Sequence, residues 1–296
     1  MLYGNKVFVD GLMREVNNVE AERNIKVIYG STIGSISRGI QRYTSDYDVR
    51  FLYVGKDNNF INSCDRHIED KIRYRVFNDN KAYNCIAFWE ISAFLNFLCE
   101  PYITQGVQYK LVRNVLWSFF SPYRFDPYGI SSKIEPLLLK TINIECETDH
   151  HYSILSDFCQ KRSSSLVLAD YFSAMHAYLS LLWIMKEQTI PPLHILPLMT
   201  LADDEIYDHI SHYLDVNRNF DHIGIDRENA KITDTMHERF NALIANLLSE
   251  KIDILTEYKR NKSIVRKMLN IIEIELKNNQ RVYRVNEAKS LDISNK

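Results

Sequence analysis

Two aspartates one residue apart carry the strongest chemical signal in the chain. Asp46 and Asp48 lie in the run Ser45-Asp46-Tyr47-Asp48, just before a β-branched and aromatic stretch, Val49 to Val54, that is typical of a strand. Alternate residues of a strand share a face, so the two carboxylates are expected about 7 Å apart on one side. Such a pair is costly to bury unless a cation lies between the charges. Mg²⁺ (or Mn²⁺) is the expected cation, because it takes hard oxygen ligands and is completed by substrate phosphates.

A loop rich in glycine and serine precedes the aspartates. It follows a short apolar run, Val27 to Tyr29, that we read as a buried strand, and it contains Gly30, Ser31, Gly34, Ser35 and Gly39. Backbone N–H groups and a hydroxyl in such a loop can hold phosphates, and glycine lets the backbone approach them closely. Either signal alone is common in ordinary turns. Together, within one strand–loop–strand unit, they favour a metal–phosphate site.

The spacing of these residues also resembles a known signature. Gly34-Ser35, Gly39 and Ser45-Asp46-Tyr47-Asp48 match the G-S-x-x-x-G-x-x-x-x-x-S-D-x-D pattern of the polymerase-β nucleotidyltransferase superfamily. The extension through Val54 is similar to the YcgL-type branch, which is linked with RNA repair. The resemblance implies an α/β fold: a polymerase-β-like mixed sheet followed by an all-helical C-terminal domain.

The resemblance also implies an activity and a role for each matching residue. The expected reaction moves a nucleoside monophosphate from an NTP to a hydroxyl acceptor, an RNA end or a protein, and releases pyrophosphate. Asp46 and Asp48 would be catalytic and bind the metal. The expected nucleotide-binding residues are Gly34, Ser35, Arg38, Ser45 and Arg50. Arg50 lies two residues after Asp48 in the strand, which puts it on the same face.

A third carboxylate is expected from a later strand, where it would act as the base for the acceptor hydroxyl. Phe88-Trp89-Glu90 is similar to the element that follows it in the family, which puts the expected position at Cys85 or Asn84. Neither side chain is a carboxylate, and the nearest acidic substitutes are Glu90 and Asp79. Two readings therefore stay open: an active enzyme, or a decayed member that binds nucleotide, RNA or a protein partner, as an antitoxin would.

Composition bounds the class of protein. The chain has 296 residues, of which 46% are hydrophobic and 25% charged, as in ordinary globular proteins. A formal net charge of −2 argues against a broadly basic surface that coats nucleic acid. Five cysteines without a CxxC pair favour reduced thiols and a cytoplasmic location. No apolar run approaches the roughly 18 residues of a membrane span, so no membrane partner is expected.

The remaining sequence predicts the elements around the site. Met1 to Asn24 is expected to begin as a strand and continue as a helix, with Leu12, Val16 and Val19 on one apolar face. Arg73 to Phe77 reads as an edge strand, and the aromatic run Trp117 to Pro127 as core or as a platform for a base. Helices dominate from about residue 90, with a loop expected at 149–151. We predict a nucleotidyltransferase domain at 1–120, a helical domain at 121–288 and a flexible tail at 289–296.

Overall fold

A computed structural model describes most of the chain. The described residues are 6–41, 45, 47–55, 72–77, 83–91, 94–95, 117–142, 144–161, 168–219, 234–249 and 262–293. The predicted strand at the start of the chain lies largely outside these residues, whereas helix α1 is described from Lys6 to Arg23.

A mixed five-stranded sheet carries the candidate site. Its strands are β1 (Ile25–Ile33), β2 (Asp48–Gly55), β3 (Ile72–Phe77), β4 (Tyr83–Glu90) and β5 (Arg124–Phe125). The order across the sheet is β3-β4-β2-β1-β5. Strands β2 and β4 are parallel, and the other neighbours are antiparallel. The predicted mixed sheet is confirmed, and β3 lies at an edge as expected.

Strand β1 is longer than the sequence pattern indicated. Gly30 and Ser31, which we expected in the phosphate loop, instead pair with Phe51 and Arg50 of β2. The packing explains the error, because a Cβ on Gly30 would lie 2.3 Å from the Phe51 ring. Gly30 thus leaves room for the ring. The rest of the expected loop begins as a short helix at Gly34–Arg38.

The two faces of the sheet are covered by different helices. On one face, Leu12, Val16 and Val19 of α1 are buried against a row that includes Val49, Phe51 and Phe88, as the helix pattern predicted. On the other face lie two helices, α3 (Ser131–Leu138) and α9 (Lys262–Ile293). The sheet is therefore backed by helices from both ends of the chain.

Aromatic residues from the run at 117–127 belong to the core of this second face. Phe119 is fully buried and stacks on Tyr29, with ring centroids 4.5 Å apart. The Tyr29 hydroxyl donates to the Ser118 carbonyl at 3.0 Å, and burial raises the pKa of Tyr29 well above its ordinary value. Phe119 and Tyr29 are thus core residues and offer no platform for a base.

A second core lies among the later helices. These are α4 (Ile144–Gln160), α5 (Leu168–Glu187), α6 (Ile195–Met199), α7 (Asp204–Asn219) and α8 (Asp234–Ser249). Their apolar faces form one buried cluster, and Ile40, just after the glycine-rich loop, packs into it. The helical C-terminal region predicted from the sequence is confirmed.

The loop expected at 149–151 was wrong, because these residues lie within α4. Their polar character suggested a loop. However, the buried face of α4 is itself partly polar: Glu147 and His151 are each 1% exposed and pair one turn apart, with Nε2–Oε2 at 3.6 Å.

The domain boundaries stay predictions. The sheet and the later helices have separate clusters, but α9 packs on the sheet and Ile40 packs on the later helices. The predicted tail overlaps the last residues of α9. In the described part of the chain, every helix is too short or too polar to cross a membrane.

Candidate nucleotide and metal site

Sheet register brings the start of the glycine-rich loop next to Asp48. Ile33, the last residue of β1, pairs with Asp48, the first residue of β2. Asp48 in turn pairs with Cys85 of the parallel strand β4. Helix α2 (Gly34–Arg38) starts directly after Ile33, so the loop and the aspartate lie at one edge of the sheet.

Gly34 lies beside the Asp48 carboxylate. Its φ is +75°, in the left-handed region that glycine adopts most readily. A Cβ built on Gly34 would lie 3.1 Å from Asp48 Oδ2, so any side chain would crowd the carboxylate. The backbone conformation therefore favours glycine at this position, and a side chain would displace the carboxylate by a few tenths of an ångström.

Hydrogen bonds within residues 34–40 hold both ends of the short helix α2. The Gly34 carbonyl accepts from Ser37 Oγ at 3.0 Å and from Arg38 Nε at 3.4 Å. At the other end, the N–H of Gly39 donates to Ile36 and the N–H of Ile40 donates to Ser35, at 3.1 and 3.0 Å. Gly34, Ser35 and Arg38 remain partly exposed at the edge of the sheet.

Strand alternation places Arg50 on the same face as Asp48. Its neighbour Val49 is buried towards α1, whereas Leu52 is buried on the opposite side, with the α9 helix. The Arg50 side chain is partly exposed, and its Nη1 donates to the Val49 carbonyl at 3.3 Å. Arg50 thus lies two residues after Asp48 in β2, on the same face of the sheet, as expected.

Two further predicted residues have different outcomes. Ser45 is described and partly exposed. Asp46 lies outside the described residues, so its predicted pairing with Asp48 stays a prediction.

Register decides where the candidates for a third carboxylate lie. Cys85 is the direct neighbour of Asp48 across β2 and β4. Glu90 pairs with Tyr53 at the other end of these strands, about 16 Å along the strand from Cys85. Glu90 therefore cannot serve beside Asp48. Asn84 precedes Cys85 in β4, and Asp79 lies outside the described residues.

The donor chemistry at this edge suits a hard cation. Asp48 supplies carboxylate oxygens, and the signature also contains the hydroxyl-bearing residues Ser35 and Ser45. Carboxylate and hydroxyl oxygens are hard ligands of the kind that Mg²⁺ takes. Among the described residues, no group of three or more His, Cys, Asp or Glu side chains is arranged to hold a metal ion. A metal at this edge would therefore depend on Asp48, on Asp46 and on oxygens brought by substrate.

Sequence reasoning missed two residues that hold the loop in place. Ser121 is fully buried, and its Oγ donates to the Thr32 carbonyl at 2.6 Å, which anchors the end of β1. His194 lies against Gly39 at the other end of α2. Neither contact leaves a local signal, because the partners are far apart in sequence. Only the serine before Pro122 belonged to a run that we had singled out.

The mixed sheet, the short glycine-flanked segment that leads to Asp48 and the helical region that follows are consistent with a polymerase-β-like α/β fold. Residues 10–101 match the model of the RNA repair pathway DNA polymerase beta family. The chain is also 21% identical over 272 residues to the uncharacterized protein YcgL of Bacillus subtilis (strain 168). That alignment covers 88% of this chain and 95% of the relative. The YcgL-type, RNA-repair-associated resemblance drawn from the signature residues is confirmed.

Proposed function

We propose that the protein is a metal-dependent nucleotidyltransferase that moves a nucleoside monophosphate from an NTP to a hydroxyl acceptor. The observation that carries the proposal is the close approach of Gly34 to the aspartate: a Cβ built on Gly34 would lie 3.1 Å from Asp48 Oδ2. A phosphate held by the turn at Gly34 and Ser35 would thus be beside the carboxylate. The matching family description, which names RNA repair and polymerase beta, supports the same chemistry.

Each residue has a distinct task in this proposal. Asp48, together with Asp46, would hold Mg²⁺ or Mn²⁺, which supplies charge neutralisation for the phosphates. Gly34 and Ser35 would orient the triphosphate, with Ser45 beside it, and Arg38 and Arg50 would offset its negative charge. The acceptor hydroxyl gives its proton to solvent, and its oxygen forms a bond to the α-phosphorus. The bond from that phosphorus to the oxygen bridging to the β-phosphate breaks, and pyrophosphate leaves.

A second candidate function rests on Cys85. This residue is the neighbour of Asp48 in the register, where a carboxylate base is expected in an active relative. A chain that lacks this base would bind nucleotide, RNA or a protein partner without turnover.

Within the enzymatic proposal, the favoured acceptor is an RNA end, and a protein hydroxyl is the alternative. We expect the protein to act on either acceptor in the cytoplasm.

Label transfer separates the two functions. The protein would be incubated with each α-labelled NTP, Mg²⁺ or Mn²⁺, and a mixture of RNA and protein acceptors, beside an Asp46→Ala/Asp48→Ala double variant. The proposal predicts label on one acceptor class with wild type and none with the double variant. NTP binding by wild type without any transfer would contradict the enzymatic proposal and favour the binding protein.

A further inference from the structure

The imidazole of His194 fills the space beside Gly39, where α2 ends. A Cβ built on Gly39 would lie 2.4 Å from both Cε1 and Nε2 of His194, and 3.0 Å from Nδ1. Gly39 also has a φ of +74°, so both its conformation and its surroundings require glycine. The ring thus lies directly against the backbone of the glycine-rich turn.

His194 is itself fixed by the helical region. Its Nδ1 accepts a hydrogen bond from the Leu196 N–H at 3.3 Å, which caps the start of α6. The preceding carbonyl, that of Leu193, accepts from Nε2 of the buried His176 at 2.8 Å. A histidine on α5 and a cap on α6 therefore hold the segment that carries the ring.

A second contact ties the same end of the turn to the helical region. Ile40, the residue after Gly39, is 7% exposed and packs in the cluster formed by α4 to α8. The N–H of Ile40 reaches back to the Ser35 carbonyl at 3.0 Å, so this anchor is continuous with the turn. Two independent contacts thus connect α2 to helices far along the chain.

Each end of helix α2 has a side chain close to a glycine: a built Cβ would lie 3.1 Å from Asp48 at Gly34, and 2.4 Å from the His194 ring at Gly39. Asp48 is at the Gly34 end and His194 is at the Gly39 end. Because α2 has only five residues and is closed by its own hydrogen bonds, a shift at Gly39 moves Ser35 and Gly34 as well. The position of the turn relative to Asp48 therefore depends on the imidazole.

We infer that His194 is a positioning residue for the triphosphate-binding turn, acting through Gly39. The inference rests on the proposed function for its consequence in catalysis, but the contact itself does not depend on any nucleotide. Through this contact the helical region would set how well the turn at Gly34 and Ser35 receives an NTP. Loss of the ring should weaken nucleotide use more than it weakens the fold.

Two substitutions separate the positioning role from the capping role. His194→Asn keeps a side-chain acceptor for the Leu196 N–H but removes the ring, whereas His194→Ala removes both. His212→Ala is the matched control, since His212 is exposed on α7. Amide hydrogen exchange at Gly39 and Ile40 reports the turn directly, and KM and kcat for ATP, GTP, CTP and UTP, tested singly, report nucleotide use.

For His194→Asn we expect a melting temperature close to that of wild type and exchange at Gly39 and Ile40 roughly tenfold faster. The KM for the preferred NTP should rise roughly tenfold while kcat changes less than about twofold, because a misplaced turn costs binding and orientation. His212→Ala should change none of these quantities. His194→Ala should add a loss of stability through α6.

The outcomes distinguish a failure of this inference from a failure of the proposed function. Unchanged exchange at Gly39 and Ile40 in His194→Asn overturns the inference, whether or not wild type uses NTP. Faster exchange with an unchanged KM also overturns it. Faster exchange in a protein whose wild type neither binds nor transfers any NTP supports the contact but overturns the proposed function.

Discussion

At Gly34, both the backbone conformation and the neighbouring carboxylate limit which residue fits. Its positive φ makes any other L-residue costly there, and the space beside it belongs to the Asp48 carboxylate. The sequence signature predicted glycine here for approach to a phosphate. The structure adds that a side chain at this position would also crowd the aspartate.

A Gly34→Ala substitution should reduce nucleotide transfer more than it reduces stability. The strained φ should cost about 1 kcal/mol of unfolding free energy, and the new Cβ should push the Asp48 carboxylate away from the turn. Gly129→Ala is a matched control, because Gly129 has a φ of +65° but a Cβ built on it would have no atom within 4 Å. Both variants should lose similar stability in urea unfolding. Equal transfer by the two variants would contradict a special role for Gly34.

Substitutions at Cys85 test whether the missing third carboxylate limits the reaction. Its register position beside Asp48 is the place for a base that accepts the acceptor's proton. Where proton removal limits the reaction, Cys85→Asp should raise label transfer by about 10²-fold, and Cys85→Asn, which cannot accept a proton, should not. Equal rates for the Asp and Asn variants would show that the enzyme does not use a base at this position.

At the scale of elements, the site depends on how strands and helices begin and end. The edge where β1 ends and β2 begins was predictable, since a strand pattern, a glycine-serine turn and a second strand pattern follow one another locally. The length of β1 was not, because Gly30 fits a strand only when Phe51 packs across it. The contact of His194 with Gly39 was also beyond prediction, since it joins segments far apart in the chain.

Helix α3, which backs the sheet beneath Tyr29 and Phe119, is fixed at its start by Asp126. The carboxylate accepts from the Ile130 and Ser131 N–H groups at 2.8 and 2.9 Å, and from Ser131 Oγ at 2.6 Å.

Asp126→Ala should therefore lower the free energy of unfolding by about 1–2 kcal/mol, as losses of helix-start acceptors do. Urea unfolding followed by circular dichroism measures the change. Ser132→Ala is the control, since its hydroxyl bonds only the Gly129 carbonyl at an exposed position. If Asp126→Ala were as stable as Ser132→Ala, the carboxylate would not hold the helix.

At the scale of the whole molecule, the core that packs on the sheet contains residues from both ends of the chain. Met268 and Ile272 of α9 are buried in the same cluster as Ile28 and Leu52 of the sheet. Lys133 of α3 pairs with Glu275 of α9 at 2.5 Å, so the two helices under the sheet also meet each other. Nothing local in the sequence of α9 indicated that its partner is the sheet.

Met268→Ala tests this packing. Met268 is fully buried, so its truncation should lower the free energy of unfolding by about 2–5 kcal/mol. Lys267→Ala, one residue earlier on the exposed face, should change it by less than about 0.5 kcal/mol. Thermal and urea unfolding measure both. An equally small effect for the two substitutions would contradict the docking of α9 on the sheet.

The position of the transferred label tests the central claim most directly. Wild type and Asp48→Asn would be given the same NTP labelled at either the α- or the γ-phosphate, with Mg²⁺ and the acceptor found by label transfer. For wild type the account predicts α-label on the acceptor and γ-label only in pyrophosphate, in equal amounts; Asp48→Asn should give neither product. Transfer of the γ-label to the acceptor, or undiminished α-transfer by Asp48→Asn, would contradict nucleotidyl transfer at this site.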